Sequence, residues 1–344
     1  MKHDILSMSL GELEGLIISL GEPKFRAKQI YSWLLRGIWG DEMSNVPKKL
    51  REKLEDVAEI RLPKIVKRLD SRLDGTKKYL FELIDGECIE SVFMKYEHGN
   101  TLCISSQVGC RMGCKFCAST LGGRVRDLTP GEMLGQIIVA QADTGERISN
   151  VVMMGIGEPL DNYENTVKFL RLLSSEDGLN VGLRHVSVSS CGLVDKINNL
   201  ANEGLPITLS ISLHAYDDET RSAIMPINKK FGIDELLRAC EKYFEKTGRR
   251  ISFEYTLIAD KNDTVEGAEH LAAVLKKYIH STPHVNLIPL NEVEETKLST
   301  SKNVNKFKDK LVSLGINATV RRRLGSDINA SCGQLRRQKQ KENL

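Results

Sequence analysis

Cys110, Cys114 and Cys117 fall within eight residues at C-x3-C-x2-C spacing, just past the apolar run Thr101 to Ser106. A strand-like segment thus delivers three thiols into a loop that also carries a glycine. Such a loop can place one thiolate on each of three corners of a cubic iron–sulfur cluster. Four cysteines would fill every iron, whereas three leave one iron open to a non-protein ligand. Zinc is the other reading. A structural zinc ion takes four closed ligands, so Cys103 or His98 would have to complete the set at an unfamiliar spacing. The spacing and its place after a strand favour the cluster.

Further polar and glycine residues recur where apolar runs end. Gly155-Ile156-Gly157-Glu158-Pro159 closes one run and Ser189-Ser190-Cys191-Gly192 the next; Ser212-Leu213-His214 and Asn291 close later ones. A G-x-G after a strand also suits a doubly wound methyltransferase, but there an acid ends the following strand. Here that strand ends in serines and a cysteine. Taken singly these residues are structural by default, His214 included. Gathered on one rim with the cysteine loop, they form a ligand pocket. Two more cysteines are notable. Cys103 lies in the strand that leads to the cluster loop, and Cys332 follows Arg321, Arg322 and Arg323 in a loop with glycine and aspartate. Buried cysteine is a common inert core residue, and Cys88, Cys191 and Cys240 are read that way. Glu90 stands on a strand, and nothing local marks it out.

The elements that position these residues are α/β. Leu10 to Leu62 reads as three helices, with stripes Leu13/Leu16/Ile17/Leu20, Ile30/Trp33/Leu34/Ile38 and Leu50/Leu54/Val57. Pro23 and Pro47 suit first turns. Between Ile65 and Met94 the pattern alternates as strands do, and Asp85-Gly86 signals a hairpin. From Thr101, strands at 101–106, 149–155, 185–190, 206–213, 250–258 and 284–289 alternate with helices near 131–143, 162–174, 194–203, 233–246 and 264–278. Thr129, Pro130 and Glu132 give the first of these helices its capping box. Six such units are too few for a closed eight-stranded barrel, so an open, partial six-unit β/α barrel is expected, with chemistry at the C-terminal strand ends. A helix at 302–314 and a strand at 317–322 follow. The expected parts are a helical accessory domain (1–62), a β-hairpin extension (63–100), the barrel with a C-terminal catalytic loop (101–335) and a basic tail (336–344).

The chain has 344 residues, 28% charged and 41% hydrophobic, enough for a large core. It shows no run of membrane length and no signal-like start. Eight cysteines in a chain of this length do not suggest a secreted disulfide framework. A cytoplasmic location without membrane contact is expected. The net charge of +3 conceals an asymmetry: from Lys297 onward there are 12 basic and 3 acidic residues, about +9, so the rest is near −6. Such a segment suits a polyanion, nucleic acid first; a solvated terminus is the plain alternative.

Several stretches together carry a resemblance. They are Ser105-Ser106-Gln107-Val108-Gly109-Cys110 with the cysteine loop and its Phe116, Gly155–Pro159, Ser212–His214, Met225-Pro226-Ile227-Asn228, Asn286–Asn291 and Ala330-Ser331-Cys332-Gly333-Gln334-Leu335. Across nearly its whole length the chain resembles the dual-specificity RNA methyltransferase family of the radical S-adenosylmethionine (SAM) superfamily. The resemblance implies a barrel of radical SAM type and methylation of carbon 2 of adenosine in 23S rRNA, in the peptidyl-transferase region, and in tRNA. It implies one [4Fe–4S] cluster on Cys110, Cys114 and Cys117, and two SAM per turnover. The implied SAM pocket comprises Gly157, Glu158, Ser189, Ser212, Leu213, His214 and Asn291. Cys332 would carry the methyl as S-methylcysteine, Cys103 would resolve the adduct through a transient disulfide with Cys332, and Glu90 would be the proton acceptor. A flavodoxin- or ferredoxin-type electron donor and a monomeric enzyme are implied as well. A sister family methylates carbon 8 of the same ribosomal adenosine. It usually reads G-E-A where this chain has Gly157-Glu158-Pro159, and it lacks a segment like Arg323–Ile328, so carbon 2 is favoured. A non-catalytic iron–sulfur or zinc RNA-binding protein is the rival from another class.

Overall fold

The structure is a computed structural model and describes residues 2–291, 298–328, 330 and 333–342. The N-terminal stripes form α1 (Leu10–Ser19), α2 (Phe25–Leu34) and α3 (Lys48–Val57), which bury Leu13 and Ile17, Ile30 and Leu34, and Leu50 and Leu54. Ser9 and Glu12 close a capping box on α1. A short parallel pairing of β1 (His3–Asp4) with β2 (Ala58–Glu59) ties the two ends of the module together. The module is anchored to the barrel through polar contacts. Thr129 Oγ1 donates to Asp4 (2.7 Å), and the Gly131 N–H donates to Ser7 Oγ (2.7 Å).

The rest of the chain is organised on one ten-stranded sheet. Its antiparallel part is β3 (Lys64–Asp70), β4 (Lys77–Glu82), β5 (Cys88–Tyr96) and β6 (Gly99–Cys103). A separate small hairpin follows, β7 (Gln107–Gly109) with β8 (Arg124–Asp127). The parallel part continues from β6 through β9 (Asn150–Met153), β10 (Val186–Ser190), β11 (Thr208–Ser212), β12 (Ile251–Leu257), β13 (His284–Pro289) and β14 (Asn317–Val320). Strands β14 and β3 are the two edges, so the barrel is open, as expected. The crossovers carry α4 (Pro130–Thr144), α5 (Tyr163–Ser174), α6 (Val194–Leu200), α7 (Asp218–Ile224), α8 (Ile233–Thr247), α9 (Val265–Tyr278) and α10 (Val304–Ser313). The capping box at Thr129 and Glu132 is present on α4.

Alternation along the parallel strands decides what faces the concave side. In β12, Ile251, Phe253, Tyr255 and Leu257 alternate with Ser252, Glu254 and Thr256. The polar set links across strands, with Ser187 to Ser210, Ser252 to His284, and Asn286 to Glu254. The helices therefore cover an apolar face while the interior stays polar.

The β-hairpin extension leads directly into the barrel, because β5 pairs with β6 (Val92 opposite Cys103) and both lie in the one sheet. Near the C-terminal end α11 spans Gln334–Glu342, where Arg336 is buried and Lys339 pairs with Glu82 at 2.8 Å. Among the described residues no helix is long and apolar enough to cross a membrane.

Candidate active site

The cysteine loop is pinched at its base by β7 and β8. Gly109 sits there at φ 76°, and a Cβ on it would lie 1.9 Å from the Gly123 carbonyl oxygen, which also accepts the Cys110 N–H (3.0 Å). Only glycine permits that closure. Within the loop the Cys117 N–H donates to the Cys114 carbonyl, and Thr120 Oγ1 donates to that of Cys117. Cys110, Cys114 and Cys117 all line one cavity of about 210 Å³. Burial pushes the Cys110 thiol up to about 12 and raises that of Cys114 as well, with Cys117 adding to both shifts. Buried thiols of this kind become ligands when a cation takes their charge. Among the described residues no trio of His, Cys, Asp or Glu is placed to share a single ion. Neither Cys103 nor His98, the candidates for a fourth zinc ligand, lines this cavity. Three soft donors on one wall suit separate corners of a cluster.

The opposite walls are the strand ends. Gly157, Glu158, Ser189, Ser212 and His214 all line the same cavity. Gly157 has φ 112°, and a Cβ there would lie 2.7 Å from the Gln107 backbone nitrogen, so the turn after β9 can lie against the cluster strand only as glycine. The buried Glu158 accepts from the Leu160 and Cys191 N–H groups (3.0 and 2.8 Å), which ties the ends of β9 and β10 together; burial nonetheless raises its carboxyl. Leu213 is buried and lines neither chamber; its N–H donates to the Glu254 carbonyl and its carbonyl accepts from Arg221, while Asn291 lines a neighbouring chamber.

Sequence reasoning missed Arg221. It is fully buried on α7 and donates to the carbonyls of Cys191 (2.7 Å), Leu213 (3.0 Å) and Ser212 (3.1 Å) and to Asn228 Oδ1 (2.9 Å). This guanidinium holds the ends of β10 and β11 in register and accounts for Asn228 in Met225–Asn228. Its only sequence signal is that motif, because an arginine beside Asp217, Asp218 and Glu219 reads as solvated.

His214 is held at φ 57°, a strained backbone for a side chain of this size, by Asn262 donating to its carbonyl at 2.7 Å. Its Nδ1 accepts the Thr256 N–H at 2.9 Å, so the proton of the neutral ring is on Nε2. Phe116 meets the ring edge-on at 4.8 Å. Burial pushes the imidazole down to about 3 from an ordinary 6.5. The unfolded chain therefore binds a proton near pH 6.5 that the folded chain refuses until about pH 3. Stability from this group is complete above that window and declines through it as the pH falls, by about 1.4 kcal/mol per unit. Denaturant titrations at stepped pH measure the decline, and His214→Gln should flatten it; an unchanged slope would assign the acid sensitivity to other groups.

A second chamber of about 340 Å³ adjoins the first, and Phe116, Cys117, Met154, Thr256, Ile288 and Arg321 line both. It holds Cys103, Asn291, Arg322 and Arg323. Cys332 lies outside the described residues, but Ala330 and Gln334, on either side of it in sequence, line this chamber. No disulfide joins any two described cysteines. Register explains the company of Cys103. It stands opposite Val92 on β5, so Cys103, Val92 and Glu90 share one sheet face, while Ser91 points to Gln136 on the other. Glu90 lines neither chamber. It is buried at the start of α11, where it accepts the N–H groups of Gly333 (2.9 Å) and Arg336 (2.8 Å) with Lys78 Nζ at 3.1 Å.

An open β/α barrel with a three-cysteine loop after its first parallel strand defines the radical SAM superfamily, whose model matches residues 104–287. Residues 3–60 match the ribosomal RNA large subunit methyltransferase N-terminal domain. The chain is 55% identical over 337 residues to a probable dual-specificity RNA methyltransferase RlmN of Clostridium botulinum, covering 97% of this chain and 96% of that one. It is 50% identical to the protein of that description from Clostridium tetani, covering 99% and 97%. A crystal structure of a radical SAM methyltransferase from Sphaerobacter thermophilus superposes with a TM-score of 0.91 at 41% identity, covering 96% and 98%. The chain belongs to the RlmN family of dual-specificity RNA methyltransferases. Membership implies a [4Fe–4S] cluster and SAM, and the three-thiol cavity described above fits both.

Proposed function

We propose that this chain methylates carbon 2 of adenosine in 23S rRNA and tRNA, with Cys332 carrying the methyl group. The observation that carries the reading is the pair of joined chambers. One has the three cysteines and the glycine-rich strand ends; the other has Cys103, three arginines and the residues flanking Cys332. Carbon 2 of adenine is neither acidic nor nucleophilic, so polar methyl transfer fails there. When bound, the cluster and its SAM supply the one-electron chemistry, with a flavodoxin- or ferredoxin-type donor as the source of the electron.

The chain's own residues do the rest. Cys110, Cys114 and Cys117 would hold the cluster, and Gly157, Glu158, Ser189, Ser212 and His214, which line the same cavity, would bind SAM there. The Cys332 thiolate attacks the methyl carbon of one SAM and releases S-adenosylhomocysteine, and a second SAM is consumed in removing a hydrogen atom from that methyl. Once the methyl carbon has joined the base and the adduct has given up one electron to the redox centre, Glu90 takes the ring proton. The Cys103 thiolate attacks the Cys332 sulfur; the sulfur–carbon bond breaks, the carbon takes up a proton to become the methyl of the product, and a Cys103–Cys332 disulfide is left that a reductant must reopen. The adenine enters the larger chamber extruded from its stack. Support for carbon 2 over carbon 8 comes from the segment before Ala330. Asp327 accepts from Ser71 Oγ and the Arg72 N–H, and Asp74 accepts the Gly325 N–H, so the β3–β4 loop holds that segment at the chamber.

Arg322 and Arg323 are exposed at this chamber and are assigned to phosphate. Changing either to Gln should weaken RNA binding and flatten its salt slope by about 0.7 to 0.9 for each phosphate no longer neutralised. An unchanged slope would remove that arginine from the interface. The test of the function itself is anaerobic reduction with SAM. Deoxyadenosine and methylated RNA should both form; a protein that binds RNA but cleaves no SAM would be the non-catalytic alternative.

A further inference from the structure

We propose that Lys78 and Glu90 form a buried clamp on the chain segment that follows Cys332, which makes Lys78 a positioning residue for Glu90. In the β4–β5 register Lys78 faces Val92 and Leu80 faces Glu90, so the two charged side chains are diagonal neighbours on one face. Their side chains are 0% and 1% exposed. A carboxylate is not left buried without compensation. Here the compensation comes from two parts of the chain. Lys78 belongs to the hairpin, whereas the Gly333 and Arg336 N–H groups belong to the start of α11 and occupy one carboxylate oxygen each. The field at a helix start adds to the attraction for the negative charge.

The other charged groups nearby are engaged further along the hairpin. The Arg336 guanidinium turns to Glu87 at 3.4 Å, and Lys339 lies between Glu82 and Cys88. Glu90 is therefore the carboxylate that joins the hairpin to the backbone beginning one residue after Cys332. A consequence rests on the proposed role of Glu90 as proton acceptor. A proton taken from carbon 2 of the base ends on a carboxylate oxygen. It cancels the charge that Lys78 balances and weakens that oxygen as an acceptor. Deprotonation of the product then loosens the hold on the segment next to Cys332 in the same step.

Hydrogen exchange read by mass spectrometry over residues 333–336 tests the clamp, with product formation measured on the same variants. In Glu90→Gln the carboxamide has a single acceptor oxygen for two N–H groups, so exchange there should quicken at least about tenfold. Lys78→Met keeps the carboxylate but removes its cation; it should quicken the same amides and lower product formation, and Lys78→Arg should restore both. If Glu90→Gln does not fold, the two Lys78 variants decide the matter on an intact carboxylate. Unchanged exchange at 333–336, or equal behaviour of Lys78→Met and Lys78→Arg, would overturn the clamp. Quickened exchange with normal turnover in Glu90→Gln would instead sustain the clamp and remove Glu90 as the base.

Discussion

Alanine at any one of Cys110, Cys114 or Cys117 should strip the chain of bound iron and of every step that needs it. The wild-type protein, isolated without oxygen, is expected to be brown and to hold about four irons. In the proposed site each cysteine supplies one of three protein corners, and among the described residues the one other cysteine lining the cavity is Cys191, just past the end of β10. With two thiolates the cluster has too few anchors, so SAM cleavage should fall to background, a loss on the order of 10³ or more. Circular dichroism separates this from misfolding, because the N-terminal module and the ten-stranded sheet contain none of the three residues and should give an unchanged far-ultraviolet spectrum. A single variant that kept four irons and normal turnover would remove that cysteine from the ligand set.

Opposite failures are expected from Cys103, which lines the larger chamber, and Cys332, which lies in sequence between two residues that line it, Ala330 and Gln334. Cys332→Ala removes the methyl acceptor, so neither methylated protein nor methylated RNA should form. Cys103→Ala leaves methyl transfer to Cys332 and attachment to the base possible, but the thiol that would break the adduct is gone. The enzyme should then remain covalently joined to its RNA and migrate as a heavier band that nuclease removes. The structural ground for the role of Cys103 is its place in the larger chamber with Ala330 and Gln334, which lie on either side of Cys332 in sequence. Two inert core thiols would give neither phenotype. A Cys103→Ala enzyme that released methylated RNA at the normal rate would refute the resolving role.

Much of this was legible in the residues. Alternation placed β9 to β13 closely, and Thr129, Pro130 and Glu132 placed the start of α4. The cysteine spacing and the polar strand ends marked one rim, and register gathered Gly157, Glu158, Ser189, Ser212 and His214 around one cavity. Less visible were residues whose setting is fixed by distant partners. Gln334–Glu342 is rich in Arg, Lys and Gln and reads as a solvated end, yet it docks through Glu90 and Glu82, about 250 positions earlier in the chain. Lys78 and Arg221 read as surface charges for the same reason; only the folded sheet shows that each is buried with its acceptors. The pocket implied by the resemblance divides in the fold. Leu213 is buried and lines neither chamber, and Asn291 belongs to the larger one.

Mass spectrometry of nucleosides digested from RNA treated with the reduced, cluster-loaded enzyme and SAM tests the central claim most directly. The prediction is 2-methyladenosine, formed by the wild-type chain and absent with Cys332→Ala. Adenosine methylated at carbon 8 or at a nitrogen, or no methylated adenosine under conditions where SAM is cleaved, would contradict it.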